Sequence, residues 1–212
     1  MTPNPQLDLA FEFLESTGTN LFLTGRAGTG KTTFLHEVRR RTPKRMIVVA
    51  PTGVAAIHAG GVTMHSFFQL PFGPYVPDTQ RTQDGRPMEH ARYSRNKIAI
   101  LRSIDLLVID EISMVRADTL DAVDAVLRRF RDRERPFGGV QLLMIGDVQQ
   151  LAPVVKDEEW NLLRDHYASP FFFDSRALRQ TPYLSIELQH VYRQQDEGFL
   201  ALLNAVRDNT LS

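Results

Sequence analysis

Residues 25–32 read Gly-Arg-Ala-Gly-Thr-Gly-Lys-Thr, two glycines five apart followed by a lysine and a hydroxyl residue. Glycines at this spacing let consecutive backbone N–H groups turn inward around phosphate oxygens, while the helix that follows presents its positive end to the same point. The pattern assigns Gly25, Ala27, Gly28, Thr29, Gly30, Lys31, Thr32 and Thr33 to a triphosphate site. In it the Lys31 ammonium meets the β and γ phosphates and the Thr32 hydroxyl ligates Mg2+. Its surroundings restrict the fold further. An apolar run at 20–24 leads into the loop and a helical pattern at 31–41 leaves it, a strand–loop–helix unit that belongs to α/β architecture.

The same rhythm recurs along the chain. Residues 46–50, 106–109 and 140–145 are apolar runs of strand length, separated by helical patterning. Strands that are apolar on both faces lie between two helical layers, so the expected fold is a mostly parallel central sheet with helices on both faces. Leu7, Ala10, Phe11 and Leu14 fall at i, i+3, i+4 and i+7, which predicts a helix over 6–15 ended by Gly18. Residues 183–188 suit a further strand and 197–206 a last helix. Between 71 and 96 the periodicity disappears among prolines, glycines and polar residues, a loop-like insertion. At 212 residues and 42% apolar content the chain is expected to form one domain around one core.

A phosphate loop does not hydrolyse anything by itself. The run Leu106-Leu-Val-Ile is followed by Asp110 and Glu111, two carboxylates at the carboxyl end of a predicted central strand. Asp110 is placed to hold the magnesium shell and Glu111 to orient or deprotonate the attacking water. The competing reading is a helix cap. The next apolar strand ends in Gly146-Asp-Val-Gln-Gln150, whose polar side chains face the same crevice, so that Gln150 can sense the γ phosphate or the water.

Composition excludes several classes. Lysine plus arginine and aspartate plus glutamate both number 25, so no global basic footprint marks the chain as a nucleic-acid binder. Two basic clusters, residues 39–45 and 128–135, fall at predicted helix ends, where cations complement the helix dipole and solvate a surface. The absence of cysteine rules out disulfides and thiolate metal sites. With no apolar run of eighteen residues and no signal-peptide pattern, the expectation is a soluble cytoplasmic protein, bacterial and nucleoid-associated.

These elements are joined by others. The runs Ala50-Pro-Thr-Gly-Val-Ala-Ala and Gly60-Gly-Val-Thr-Met-His-Ser-Phe67 resemble the DNA-contacting motif of superfamily 1 helicases with 5′ to 3′ polarity. The segment from Ile112 through Leu120, Asp121, Asp124 and Arg128 to Pro136-Phe-Gly-Gly139 is similar to the signature of the petite-integration-frequency (PIF-type) family. Residues 146–154 and 188–194 complete the series, so the likeness runs in order from Gln6 to Arg193. It implies the first RecA-like P-loop NTPase domain of an ATP-dependent DNA helicase, acting on single-stranded and forked or structured DNA as a monomer. It also implies a second RecA-like domain, absent from residues 1–212.

Residue by residue, the resemblance implies that Gln6 reads the adenine edge, though Gln6 equally suits the opening of the first helix. Arg193 would reach the γ phosphate and join Lys31, Asp110, Glu111 and Gln150 in catalysis. Pro51, Thr52, Thr63, His65 and Phe67 would contact a single strand, with Phe67 and Phe68 open to either stacking or core packing. The 71–96 insertion would supply a strand-separating pin or wedge. Two other readings compete, a nucleotide-dependent switch or loader acting on protein partners and a passive single-strand binder.

Overall fold

Residues 4–77 and 92–192 are described by the structure, a computed structural model. In chain order the elements are α1 (Pro5–Ser16), β1 (Asn20–Gly25), α2 (Lys31–Arg41), β2 (Met46–Ala50), α3 (Gly53–His58), β3 (Val62–Thr63), α4 (Met64–Phe68), α5 (Arg95–Ser103), β4 (Leu106–Ile109), α6 (Ala117–Phe130), β5 (Gln141–Ile145), α7 (Asp157–Leu163), α8 (Arg176–Arg179) and β6 (Tyr183–Leu188). The strands form one sheet in the order β3-β2-β4-β5-β1-β6, and every pairing is parallel. All six carboxyl ends therefore open on one edge. Among the described residues no helix is long and apolar enough to cross a membrane.

The apolar runs behave as parallel strands must. Every residue of β4 and β5 is buried, and alternate residues serve opposite layers. Leu106, Val108, Leu143 and Ile145 pack with Leu14 of α1 and Phe34, Leu35 and Val38 of α2. Leu107, Ile109, Leu142 and Met144 pack on the other face with Phe68, Leu101, Leu120, Val123 and Phe137. The edges are a two-residue strand, β3, and the six-residue β6, which is largely exposed and shows Tyr183 and Leu184 to solvent.

Most members of the two basic clusters sit at helix ends or in local pairs. Arg39, Arg40 and Arg41 occupy the last turn of α2, and Arg128 and Arg129 that of α6. Lys44 donates to the carbonyl oxygens of Leu14 and Thr17 at the end of α1 and, at 2.7 Å, to Gln141. Arg45 forks onto Asp105 at 2.8 Å, which holds that carboxyl down at about 2. Arg131 donates to the carbonyl oxygens of Leu101 and Arg102.

The signature segment is a packing device. Asp124 of α6 accepts the backbone N–H of Phe137 at 2.5 Å and also holds Arg128. Phe137 is driven fully into the core with φ +52, and Gly138 follows at φ +60. A Cβ at Gly138 would sit 2.8 Å from the Leu127 carbonyl oxygen. Gly138→Ala is therefore expected to destabilise the chain by about 2 kcal/mol or more, from left-handed strain plus the clash. Urea unfolding checks this.

At its carboxyl end the loop-like stretch gives way to helix two residues before its composition implies. Ser94 caps α5, accepting from the Lys97 N–H, so helix begins at Arg95. Tyr75 is already tied to Asp118 of α6 through a 2.9 Å bond from its N–H. Residues 78–91, within the span expected to form a pin or wedge, and the expected helix at 197–206 lie outside the described residues.

Candidate nucleotide and nucleic-acid site

The loop between β1 and α2 has the form its sequence demands. Gly30 caps α2 at φ +95, a conformation that turns the backbone into the first helical turn and that side chains resist. Thr29 is buried, and its hydroxyl tightens the loop by donating to the Arg26 carbonyl at 2.8 Å. Ala27, Thr32 and Thr33 are exposed at the mouth. The Lys31 ammonium donates to the carbonyls of Gly25 at 2.5 Å and Arg26 at 3.1 Å, which holds it across the loop.

Asp110 and Glu111 follow β4 on the same edge. Burial pushes the Asp110 carboxyl up, opposed by the Glu111 N–H and by the charges of Lys31 and His36. Burial also pushes Glu111 up, and the neighbouring carboxylates Asp110 and Asp147 push it further, against the pull of Lys31. Glu111 moreover sits in the left-handed region at φ +51, ψ +44, strain that a non-glycine residue shows only where the surroundings impose it.

Those surroundings are visible in the turn after β5. Gly146 packs so closely on the turn after Glu111 that a Cβ would lie 2.9 Å from Ile112 Cγ2 and 3.1 Å from the Ser113 nitrogen. That approach brings Asp147 beside Glu111. Asp147 is buried and accepts from the Gln149 N–H and from Gln150 Nε2, both at 3.1 Å. Gln150 is thus held by Asp147, a residue to which the sequence patterns give no role.

Two segments close on the loop from either side. Gln6 lies in the first turn of α1, which Asn4 caps, and its Oε1 accepts the Gln189 N–H at 3.1 Å just past β6. Gln6 therefore opens the helix and ties it to the segment past β6. Tyr192 donates its N–H to the Gly28 carbonyl at 2.9 Å, and its ring would lie 3.6 Å from a Cβ at Gly30. Arg193, which follows directly, lies outside the described residues.

The expected strand contacts divide. Pro51, Thr52 and His65 come together in a groove of about 260 Å³ at the carboxyl ends of β2 and β3, with Arg116, Thr119 and Val154 also in its wall. The Thr52 hydroxyl caps α3 through the Ala55 N–H, and that of Thr63 caps α4 through the Ser66 N–H. Burial holds the His65 imidazole below its ordinary value, and Arg116 adds to the effect. Of the two alternatives open for Phe67, the structure shows the core placement. It belongs to the core with Phe68, edge-on to it at 4.9 Å and covered by the Lys97 ammonium, so its ring is not offered for stacking.

A family model described as PIF1-like helicase matches residues 9–209. The chain belongs to the PIF1-like helicase family. Among PIF1-like relatives, the ATP-dependent DNA helicase PIF1 of Danio rerio is 40% identical over 90% of this chain, and that of Homo sapiens 38% over 90%. The match takes in 28% and 27% of those proteins, respectively. Among solved PIF1-like structures, Bacteroides Pif1 bound to ssDNA superposes with a TM-score of 0.89 at 40% identity, covering 100% of this chain and 47% of that one. A structure of two coordinating Pif1 helicases at forked dsDNA gives 0.91, with 49% of that chain covered. The chain thus spans about half the length of these solved PIF1-like relatives and less than a third of the curated ones. The RecA-like, doubly covered parallel sheet is the fold they share with it.

Proposed function

We propose that this chain is the ATP-binding half of a 5′ to 3′ DNA helicase motor, one copy acting as the binding unit on single-stranded and forked DNA. One observation carries the reading: a single sheet edge presents the phosphate loop, the Asp110–Glu111 pair and the groove of Pro51, Thr52 and His65. A relative, Bacteroides Pif1, has been solved with ADP-AlF3 and ssDNA together, which supports joining the two sites in one account. A switch acting on protein partners gives the groove no purpose.

In this reading the loop N–H groups and Lys31 hold the triphosphate, and Gln6 reads adenine. Thr32, exposed at the loop mouth, and Asp110, on the same sheet edge, offer the hydroxyl and carboxylate oxygens that suit Mg2+. Held there with the nucleotide, Mg2+ would supply charge neutralisation to the phosphates. Glu111 orients the attacking water and takes its proton, helped by a raised basicity that burial and two carboxylates provide. Gln150, fixed by Asp147, contacts the γ phosphate, and Arg193 stabilises charge that develops there.

Changing Thr52, Thr63 and His65 together to Ala is expected to weaken single-strand binding about tenfold or more while leaving ATP-analogue affinity unchanged. Because both threonines cap helices, the variant also loses about 1 kcal/mol per cap. A parallel pair, Thr52→Ser and Thr63→Ser, keeps the caps and is expected to keep binding. Unchanged DNA affinity in the triple variant removes this groove from the strand path.

A further inference from the structure

Among the described residues the groove contains little net charge to hold a polyanion. Arg116 is the one Lys or Arg among its described lining residues, and both edges of its guanidinium are committed. It forks onto Asp118 at 2.8 and 2.6 Å and reaches Glu159 at 2.8 Å. Contacts that neutralise few phosphates leave most of the affinity to be supplied by the bases.

An aromatic ring stands at the rim. Phe72 is 96% exposed, the most exposed large hydrophobic side chain among the described residues. Its ring lies nearly parallel to the His65 imidazole, centroids 6.0 Å apart and planes 11° apart. His65, its neighbour in space, and Gly73, its neighbour in the chain, both line the groove. The segment that carries Phe72 is pinned at both ends. Leu70 donates to the His65 carbonyl at 3.0 Å, and Tyr75 donates to Asp118, the same carboxylate that holds Arg116. The backbone thus keeps the exposed ring beside the groove, where burying it would be favourable.

We propose that Phe72 is a nucleobase-stacking residue of this groove, its exposed ring, beside and nearly parallel to His65, taking a base of the single strand. The proposal rests on the reading of the groove as a strand path and gives it its stacking element, the role that Phe67 does not fill. His65 suits the arrangement as a neutral ring: burial and Arg116 both disfavour its cation, while Asp118 favours it. Stacking of this kind is indifferent to base identity, so the contact serves movement along any sequence.

The test is a cycle of protein and DNA changes, read by fluorescence anisotropy of a labelled oligothymidine against the same oligonucleotide carrying a tract of stable abasic sites. Phe72→Ala is expected to weaken binding to the intact oligonucleotide about tenfold, and Phe72→Trp to restore it. Removing the bases should weaken wild type about tenfold more than it weakens Phe72→Ala. Equal losses for both proteins overturn the stacking role, as does an unchanged affinity in Phe72→Ala, the result expected if the ring instead covers another protein surface. Failure of the underlying reading looks different: wild type then binds no single strand, or the Thr52, Thr63 and His65 triple variant binds as well as wild type.

Discussion

Glu111→Gln is expected to keep the affinity for Mg-ATP and to lower turnover by about 10²- to 10⁴-fold in the complete motor, the range that a positioned general base contributes. Gln keeps the size of the side chain and a hydrogen-bonding oxygen but cannot take a proton. Single-turnover hydrolysis beside equilibrium binding of a non-hydrolysable analogue separates the two effects. Equal loss of both would place Glu111 in binding instead. The same substitution has a consequence for stability. The Glu111 carboxyl is raised in the folded chain, so the folded state binds its proton more readily than the unfolded one. Ionisation then penalises folding: the penalty is fully present above the folded-state pKa and relieved as pH falls toward the ordinary value of 4.5. The Gln variant should therefore melt higher than wild type at neutral pH, with the difference closing as that ordinary value is approached. Thermal unfolding across that range checks the sign.

The largest loss of stability is expected at Asp121. This buried carboxylate of α6 accepts from the Tyr167 hydroxyl at 2.8 Å, the Ser175 hydroxyl at 2.5 Å, and the N–H groups of Arg176 at 3.1 Å and Ala177 at 3.0 Å. It is the joint that fastens α8 and the residues around Tyr167 to the helical layer on that face of the sheet. Asp121→Ala takes the acceptor from two backbone and two hydroxyl donors in the interior, at a cost of about 4 kcal/mol or more. That is a large part of the roughly 5–15 kcal/mol typical of a folded domain. Asp121→Asn should lose less than Ala but still fail, because its amide NH2 confronts a donor whichever way it turns. Urea denaturation that shows a shift of under about 1 kcal/mol for Ala would mean that water or rearrangement replaces the four bonds.

How much the sequence makes legible follows from how local each signal is. The phosphate loop, its strand and its helix are contiguous, and α2 begins and ends where the pattern places it. The central strands are readable because burial on both faces leaves few polar residues to blur them. The short helices α3, α4, α7 and α8 run from four to seven residues, too few turns for a periodicity to emerge. Phe67 is open between core and DNA on sequence grounds because residue type alone cannot tell a ring on the inner face of a five-residue helix from one on the outer. Phe72 stands in a proline- and glycine-rich stretch with no periodicity, so nothing local separates it from an ordinary loop residue.

The remaining features depend on contacts between distant parts of the chain. Arg116 and Glu159 are 43 residues apart, and Tyr192 meets the phosphate loop from beyond the last strand. The role of Asp147 emerges only because the close approach at Gly146 puts it beside Glu111. In each case the signal is a distance, and a linear pattern does not contain it.

In the proposed motor, residues 25–32 bind the triphosphate through Lys31. Calorimetric titration of a non-hydrolysable ATP analogue with Mg2+ into the wild-type chain and into Lys31→Ala tests it most directly. One site per chain is expected, weakened at least about tenfold in the variant by the loss of charge-assisted bonds to the phosphates. Equal affinity in the two proteins would contradict it, because the nucleotide would then be held somewhere other than this loop.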